Sequence, residues 1–80
     1  AEQRALNKKR EAEERRRIRH LEKLETEIAE LEKQDAELQQ QLCCEANMND
    51  YGLLTELSNR RERVLARLSE VYEEWAESGE

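Results

Sequence analysis

Apolar residues recur along the chain with the alternating three- and four-residue spacing of a coiled coil. The first run is Leu21, Leu24, Ile28, Leu31, Leu38 and Leu42, and the second is Leu54, Leu57, Val64, Leu68, Val71 and Trp75. Each run keeps one phase over about three heptads, so its members occupy the a and d positions that face a partner helix. Good helix formers fill most of the other positions. The pattern predicts two long amphipathic helices.

The segment between the two runs predicts a tight connection. Asn49 and Asp50 are residue types that cap helix N-termini, and they stand directly before Tyr51 and the second run. A connection of about five residues joins antiparallel neighbours in helical bundles. We therefore expect an all-α, two-helix antiparallel coiled-coil hairpin over residues 18–80. Its parts are a helix over 18–44, a turn over 45–49 and a helix over 50–77.

The heptad phase also predicts how the two helices face each other. One register opposes nearly every a and d position, pairs Ile28 with Val64 and centres the turn on Ala46. Asp35 and Arg61 interrupt the apolar stripe in adjacent layers, one on each helix. We predict that they meet as an ion pair across the seam. Such a pair adds little stability but can fix the register of the two helices.

Charge is divided unevenly along the chain. Residues 1–20 hold eight Lys or Arg against four Glu, whereas the other sixty residues hold six against sixteen Asp or Glu. The predicted register leaves the start of the chain without a facing helix. We therefore expect residues 1–17 to form a basic helical extension, or linker, that packing does not stabilise.

The basic residues form a candidate contact for a nucleic-acid backbone. Clustered Lys and Arg release counterions from phosphates, and no Phe, Tyr or Trp precedes Tyr51, so base stacking is not expected from the extension. The candidates are Arg4, Lys8, Lys9, Arg10, Arg15, Arg16, Arg17 and Arg19, with Arg60, Arg63 and Arg67 on the second helix. The alternative for the extension is a solvated surface on which Glu and Arg pair with each other, as at Glu11–Arg15 and Glu13–Arg17, and the alternative for the second-helix arginines is pairing with Glu of the first helix.

The composition argues against a catalytic, nucleotide-binding or metal-binding site in this chain. Gly52 and Gly79 are isolated, so no glycine-rich phosphate-binding loop exists. His20 is distant from Cys43 and Cys44, so we expect no zinc site. We expect no catalytic residue, metal or cofactor. No long apolar run predicts a membrane span, and the adjacent cysteines indicate no disulfide framework, which favours a cytoplasmic protein.

Three stretches carry a recognisable pattern: RHLEKLETEIAELEKQDAELQQQL (19–42), LCCEA (42–46) and YGLLTEL…LSEVYEEW (51–75). With its Tyr72-x-x-Trp75 ending, the pattern resembles the C-terminal coiled-coil domain of ABC-F proteins, soluble ATPases with two ATP-binding cassettes. The chain departs from it at the turn, where many relatives have an Asp-Pro-Glu-like start. It also departs at Asp35, where relatives usually have an apolar residue.

The resemblance implies a non-catalytic arm of a larger protein. In that family a basic linker leaves the second cassette and enters the hairpin, while ATP and Mg²⁺ bind in the cassettes. ABC-F proteins act on the ribosome as translation or resistance factors, and some of their C-terminal domains are implicated in DNA binding. Contact with the ribosome, rRNA or DNA is therefore expected, along with an effect on the parent ATPase cassettes.

Two further expectations concern partners. The hairpin is expected to be monomeric, with weak self-association at most, and no membrane partner is expected. The alternative function is a purely structural or protein–protein coiled coil that serves as an oligomerisation module.

Overall fold

The computed structural model describes residues 1–79 and consists of two packed helices. Helix α1 spans Glu2–Leu42 and helix α2 spans Tyr51–Ser78, with one turn of 3₁₀ helix at Glu45–Asn47 between them. The two helices lie along each other in a rod of 72 × 15 × 15 Å. The predicted all-α hairpin is confirmed. Residue 80, the predicted end of the hairpin, lies outside the described residues.

The basic extension belongs to the first helix. Helix α1 runs without interruption through residue 17, so the extension and the first arm of the hairpin are one element of 41 residues, against 28 in α2. At about 1.5 Å per residue, α1 is longer than α2 by about 20 Å. The N-terminal part of α1 therefore projects beyond the hairpin.

The first helix ends at Leu42, two residues before the predicted position. Cys44 adopts an extended conformation, with φ −72° and ψ 124°, and so cannot continue the helix. The Asn47 side-chain amide donates a 3.0 Å hydrogen bond to the carbonyl of Gln41, which also accepts from the backbone N–H of Cys44 at 3.3 Å at the helix end. The second helix begins at Tyr51 and ends at Ser78, in each case one residue later than predicted.

The Asp50 side chain caps the second helix, as its residue type predicts. Its Oδ1 atom accepts a hydrogen bond of 3.1 Å from the backbone N–H of Leu53. The first backbone N–H groups of a helix have no partner within it, and a carboxylate there also interacts favourably with the helix dipole. Asp50 therefore fixes where α2 starts.

The core is a single seam between the two helices. Leu24 is 4 % exposed, Leu57 is 2 % exposed and Val71 is completely buried. The other apolar a and d residues from Leu21 to Leu68 are half-buried. Each helix has one neighbour only, so a seam residue is covered on the side of the facing helix and remains open at the flanks.

The predicted register is wrong. It would place Tyr72 opposite His20, twelve residues and about 18 Å along α1 from Glu32. The structure instead joins the Tyr72 hydroxyl to Glu32 by a hydrogen bond, and a Glu and a Tyr side chain together cannot span such an offset. Each α2 residue thus lies opposite a later part of α1 than predicted. The 3₁₀ turn lengthens the connection, which moves α2 along the hairpin axis.

The structure brings Asp35 and Arg61 together across the seam. The Arg61 Nε atom donates to Asp35 Oδ1 at 2.8 Å, and the two side chains are 36 % and 19 % exposed, respectively. The amide of Gln39 donates to the other oxygen of the same carboxylate at 3.2 Å. A partly exposed pair of this kind contributes about 0–1 kcal/mol, so its main effect is on helix alignment.

Replacing Asp35 and Arg61 together by Leu should leave the free energy of unfolding equal or higher. The change removes a weak ion pair and adds apolar area at the seam, where burial is worth about 25 cal/mol per Å². Urea unfolding followed by circular dichroism measures the difference. The control replaces Glu22 and Lys33, which are exposed, by Leu and should give no such gain. A large loss of stability in the Asp35/Arg61 variant would contradict a weak pair.

Replacing Asp50 by Ala should lower the free energy of unfolding by about 1 kcal/mol, because the first turn of α2 loses its cap. Thermal unfolding measures the loss. Asn49→Ala is the matched control, since the cap hydrogen bond comes from Asp50 alone. Equal losses in the two variants would show that the cap hydrogen bond does not determine the start of α2.

Candidate nucleic-acid interface

Four cations in the N-terminal part of α1, three in the extension and one just after it, share one face of the helix. Arg4, Lys8, Arg15 and Arg19 are separated by four, seven and four residues, which places them within an arc of about 60° on a helix of 3.6 residues per turn. The arc lies on the opposite side of α1 from Leu24, which faces α2. All four side chains are exposed. We call these four residues the basic stripe.

The basic stripe retains its positive charge without intramolecular neutralisation. Within residues 1–79, none of its members forms a salt bridge. The Arg19 Nε atom donates to the backbone carbonyl of Arg15 at 3.4 Å, which leaves the rest of the guanidinium directed at solvent. The Glu11–Arg15 pair of the solvated alternative does not form. The four charges are available to an external anion.

Arg17 has a different position and connects the two helices. Its Nε atom donates to the carbonyl of Ser78 at 3.3 Å, and its Nη1 atom lies 3.5 Å from Glu14. A cation at a helix C-terminus interacts favourably with the helix dipole and with carbonyls that have no partner in the helix. Arg17 thus holds the end of α2 against α1 where the extension leaves the hairpin.

The remaining candidates of the extension lie on other faces of α1. Lys9, Arg10 and Arg16 are exposed, and within residues 1–79 they form no salt bridge. Arg10 borders a shallow cavity that also contains Leu6, whose side chain is 55 % exposed. These three cations add to the positive potential of the extension without joining the basic stripe.

Two of the three candidate arginines of α2 are engaged by carboxylates. Arg60 contacts Glu56 at 2.7 Å, and Arg67 contacts Glu27 of α1 at 2.8 Å and Glu70 at 3.2 Å. The hydrogen bonds from Arg67, first to Glu27, raise the pKa of its guanidinium. Arg67 therefore links α2 to α1.

Arg63 is the third candidate of α2. It is exposed, and none of the described acidic side chains pairs with it. The structure thus does not gather the three arginines into one available patch.

The aromatic residues near the end of α2 bind glutamates of α1. The Tyr72 hydroxyl donates to Glu32 Oε1, and the Trp75 Nε1 atom donates to Glu25 Oε1 at 3.4 Å. Glu25 and Glu32 are seven residues apart and so share a flank of the seam. Sequence reasoning missed these glutamates, because a flanking Glu in a heptad carries no sign of its partner.

The described residues carry no arrangement suited to metal chemistry. Within residues 1–79, no three His, Cys, Asp or Glu side chains come together in a way that would hold a metal ion. Cys43 and Cys44 are free thiols exposed at the tip of the hairpin. Neither of the two described helices has the length of apolar sequence needed to cross a bilayer.

The Tyr72–Glu32 contact predicts a pH dependence of stability. The hydrogen bond to Glu32 raises the pKa of the Tyr72 hydroxyl above its ordinary value of 10.0. The folded state therefore holds this proton more tightly than the unfolded state does. The resulting stabilisation is fully present below the unfolded pKa, about 10, and is lost as pH rises through the raised folded pKa.

Thermal unfolding of wild type and Tyr72→Phe, measured at increasing pH, tests this dependence. The difference in Tm between the two should be largest below pH 10 or so and should shrink above it. Tyr51→Phe serves as the control, since the Tyr51 side chain is 77 % exposed. A Tm difference that does not change with pH would show that the proton of Tyr72 contributes nothing to folding.

The chain matches a known family over most of its length. The family model of the ABC transporter C-terminal domain matches residues 7–77, which cover the second part of the extension, the turn and nearly all of both helices. No curated protein and no solved structure gives a significant match. The match agrees with the hairpin geometry and with the residues that suggested an ABC-F resemblance. The chain belongs to the ABC transporter C-terminal domain family, whose domain is found in ABC-F ATPases.

Proposed function

We propose that this chain is a non-catalytic arm of an ABC-F-type ATP-binding protein and that it binds the phosphate backbone of ribosomal RNA or DNA. The observation that carries the proposal is the basic stripe, four exposed cations on one face of α1 without acidic partners among the described residues. We infer further that the arm belongs to a cytoplasmic parent whose cassettes hydrolyse ATP and that it tunes this ATPase; membership of the ABC transporter C-terminal domain family supports this inference.

The spacing of the stripe suits a polyanion. Arg4 and Lys8 are about 6 Å apart along the axis, as are Arg15 and Arg19, and the centres of the two pairs are about 16 Å apart. A duplex carries one negative charge per about 1.7 Å of its axis, so phosphates are available to each cation along the stripe. The stripe can therefore contact several phosphates at once without a particular base sequence.

The chemistry of the extension favours the backbone over the bases. Residues 1–50 contain no Phe, Tyr or Trp side chain on which a base could stack. Lys and Arg on an exposed helix face contact phosphates and fix the position of a protein on a duplex, whereas sequence is read at base edges. The expected binding is thus dependent on salt and independent of sequence.

The projection of α1 separates the stripe from the acidic part of the chain. Residues 21–80 hold sixteen acidic against six basic side chains, which would repel a polyanion. The extension projects past the end of α2, and its stripe is directed away from the seam. Arg4, Lys8 and Arg15 lie in the projecting part, and Arg19 lies beside the end of α2. Because α1 is continuous from the extension to the turn, binding at one end would orient the whole hairpin.

Reversing Arg15 and Arg19 to Glu should strongly weaken binding to nucleic acid and reduce its salt dependence. For B-DNA the slope of log K against log salt is about −0.9 per neutralised phosphate, so four contacts predict a slope of about −3.6 and the variant one smaller by about 2. Fluorescence anisotropy with a labelled DNA duplex, an RNA duplex of the same sequence and isolated ribosomes measures both quantities.

The matched control is Lys23→Glu with Lys33→Glu, which changes the net charge of the same helix equally but lies outside the stripe. This control should lose much less affinity. An equal loss would show that net charge alone governs binding. Absence of binding to all three probes at low salt would overturn the proposal and favour a structural or protein–protein coiled coil.

A further inference from the structure

One side of the hairpin carries a long shallow groove that runs along α1 and, towards the turn, lies between the two helices. Two cavities of about 380 and 540 Å³ lie along it and share Gln34 as a lining residue. On α1 the groove extends from Lys23 to Gln41, which is about 27 Å at 1.5 Å per residue. Leu31, Leu38 and Val64 line it, and all three are half-buried. The groove therefore has an apolar floor that the hairpin does not cover.

The two rims of the groove carry opposite charge. Glu27, Glu30 and Glu37 line it from α1, and we call them the acidic rim. Arg60 and Arg63 line it from α2, and we call them the basic rim. Glu37 and the two arginines border the same cavity and so stand at the same height along the hairpin, whereas Glu27 and Glu30 lie farther along α1, beside Lys23.

The seam beneath the groove is incompletely covered. Among the described apolar residues, only Leu24, Leu57 and Val71 are classed as buried. A chain of 80 residues with one seam has a small core, and small domains are commonly stabilised by oligomerisation. A second pair of helices over the groove would complete an antiparallel four-helix bundle, in which each helix has two neighbours.

We propose that a second copy of this chain covers the groove and forms a two-fold symmetric dimer. A two-fold axis parallel to the hairpin places α1 of one copy over α2 of the other, antiparallel to it and at the same height. Glu37 of each copy then faces Arg60 and Arg63 of the other. Each contact occurs twice, as a two-fold interface requires.

Charge complementarity identifies the second copy as the partner. A partner that fits this groove needs an apolar centre, basic groups over the α1 rim and acidic groups over the α2 rim. The same face of a second copy presents this arrangement once it is turned about the axis. The proposal is independent of the nucleic-acid contact, because the basic stripe lies on the outward face of α1.

Charge reversal across the rims tests the dimer. Glu37→Arg places an arginine opposite Arg60 and Arg63, and Arg63→Glu places a glutamate opposite Glu37, so each change sets like charges against one another twice. Each variant alone should dissociate at concentrations at least tenfold or so higher than wild type, because like charges at an interface oppose association. An equimolar mixture of the two variants should associate again, as should the double variant. Sedimentation velocity over a range up to about 0.5 mM measures the dissociation constant.

Glu62→Arg and Lys33→Glu are the controls, since both residues are exposed and outside the two cavities that form the groove. They should dimerise as wild type does, and circular dichroism should show equal helix content in all variants. A wild-type chain that stays monomeric at the highest concentration would overturn the proposal. So would single reversals that associate as tightly as wild type, controls that weaken association equally, or a mixture that fails to recover it.

Discussion

The structure depends on one apolar seam shared by two helices. Each helix has a single stripe at a and d positions, and each has a single neighbour on which to bury it. This constraint makes the chain long and narrow, 72 × 15 × 15 Å, and leaves most seam residues half-exposed. It also directs every other face of both helices to solvent, which is where the charged residues lie. The charged residues dominate the surface because the seam covers only one narrow stripe of each helix.

Heptad spacing determined the fold class, but it could not determine the register. A shift of a few residues along the hairpin axis still leaves the two apolar stripes facing each other, as the Asp35–Arg61 contact shows, so the heptad pattern alone does not select one of the possible alignments. The length of the turn selects among them. Glu45–Asn47 forms a 3₁₀ turn and Cys44 is extended, and neither feature has a strong signal in the sequence. The cap at Asp50 was predictable because its effect is local.

In the candidate site, too, the positions of residues around one helix can be predicted, whereas contacts between the two helices cannot. The basic stripe can be derived from the sequence, because the positions of Arg4, Lys8, Arg15 and Arg19 around a helix follow from its geometry. Which cations are neutralised depends on the facing helix. The sequence allowed Arg67 either a basic patch or a Glu of the first helix, and in the structure Glu27 lies against it across the seam. The same holds for Glu32, whose contact with Tyr72 depends on a register that the heptads left open.

The hairpin also explains how an unpacked extension can be helical. Starting a helix is costly, whereas adding a residue to an existing helix is nearly neutral. The packed part of α1 supplies that start, so the extension needs only to propagate from it. Its like charges oppose this propagation, because Arg4 and Lys8, and likewise Arg15 and Arg19, are neighbours four residues apart and repel by a few tenths of a kcal/mol per pair. An anion bound along the stripe would remove that repulsion. Binding and helical order of the extension are therefore expected to reinforce each other, with the hairpin as the fixed end from which both proceed.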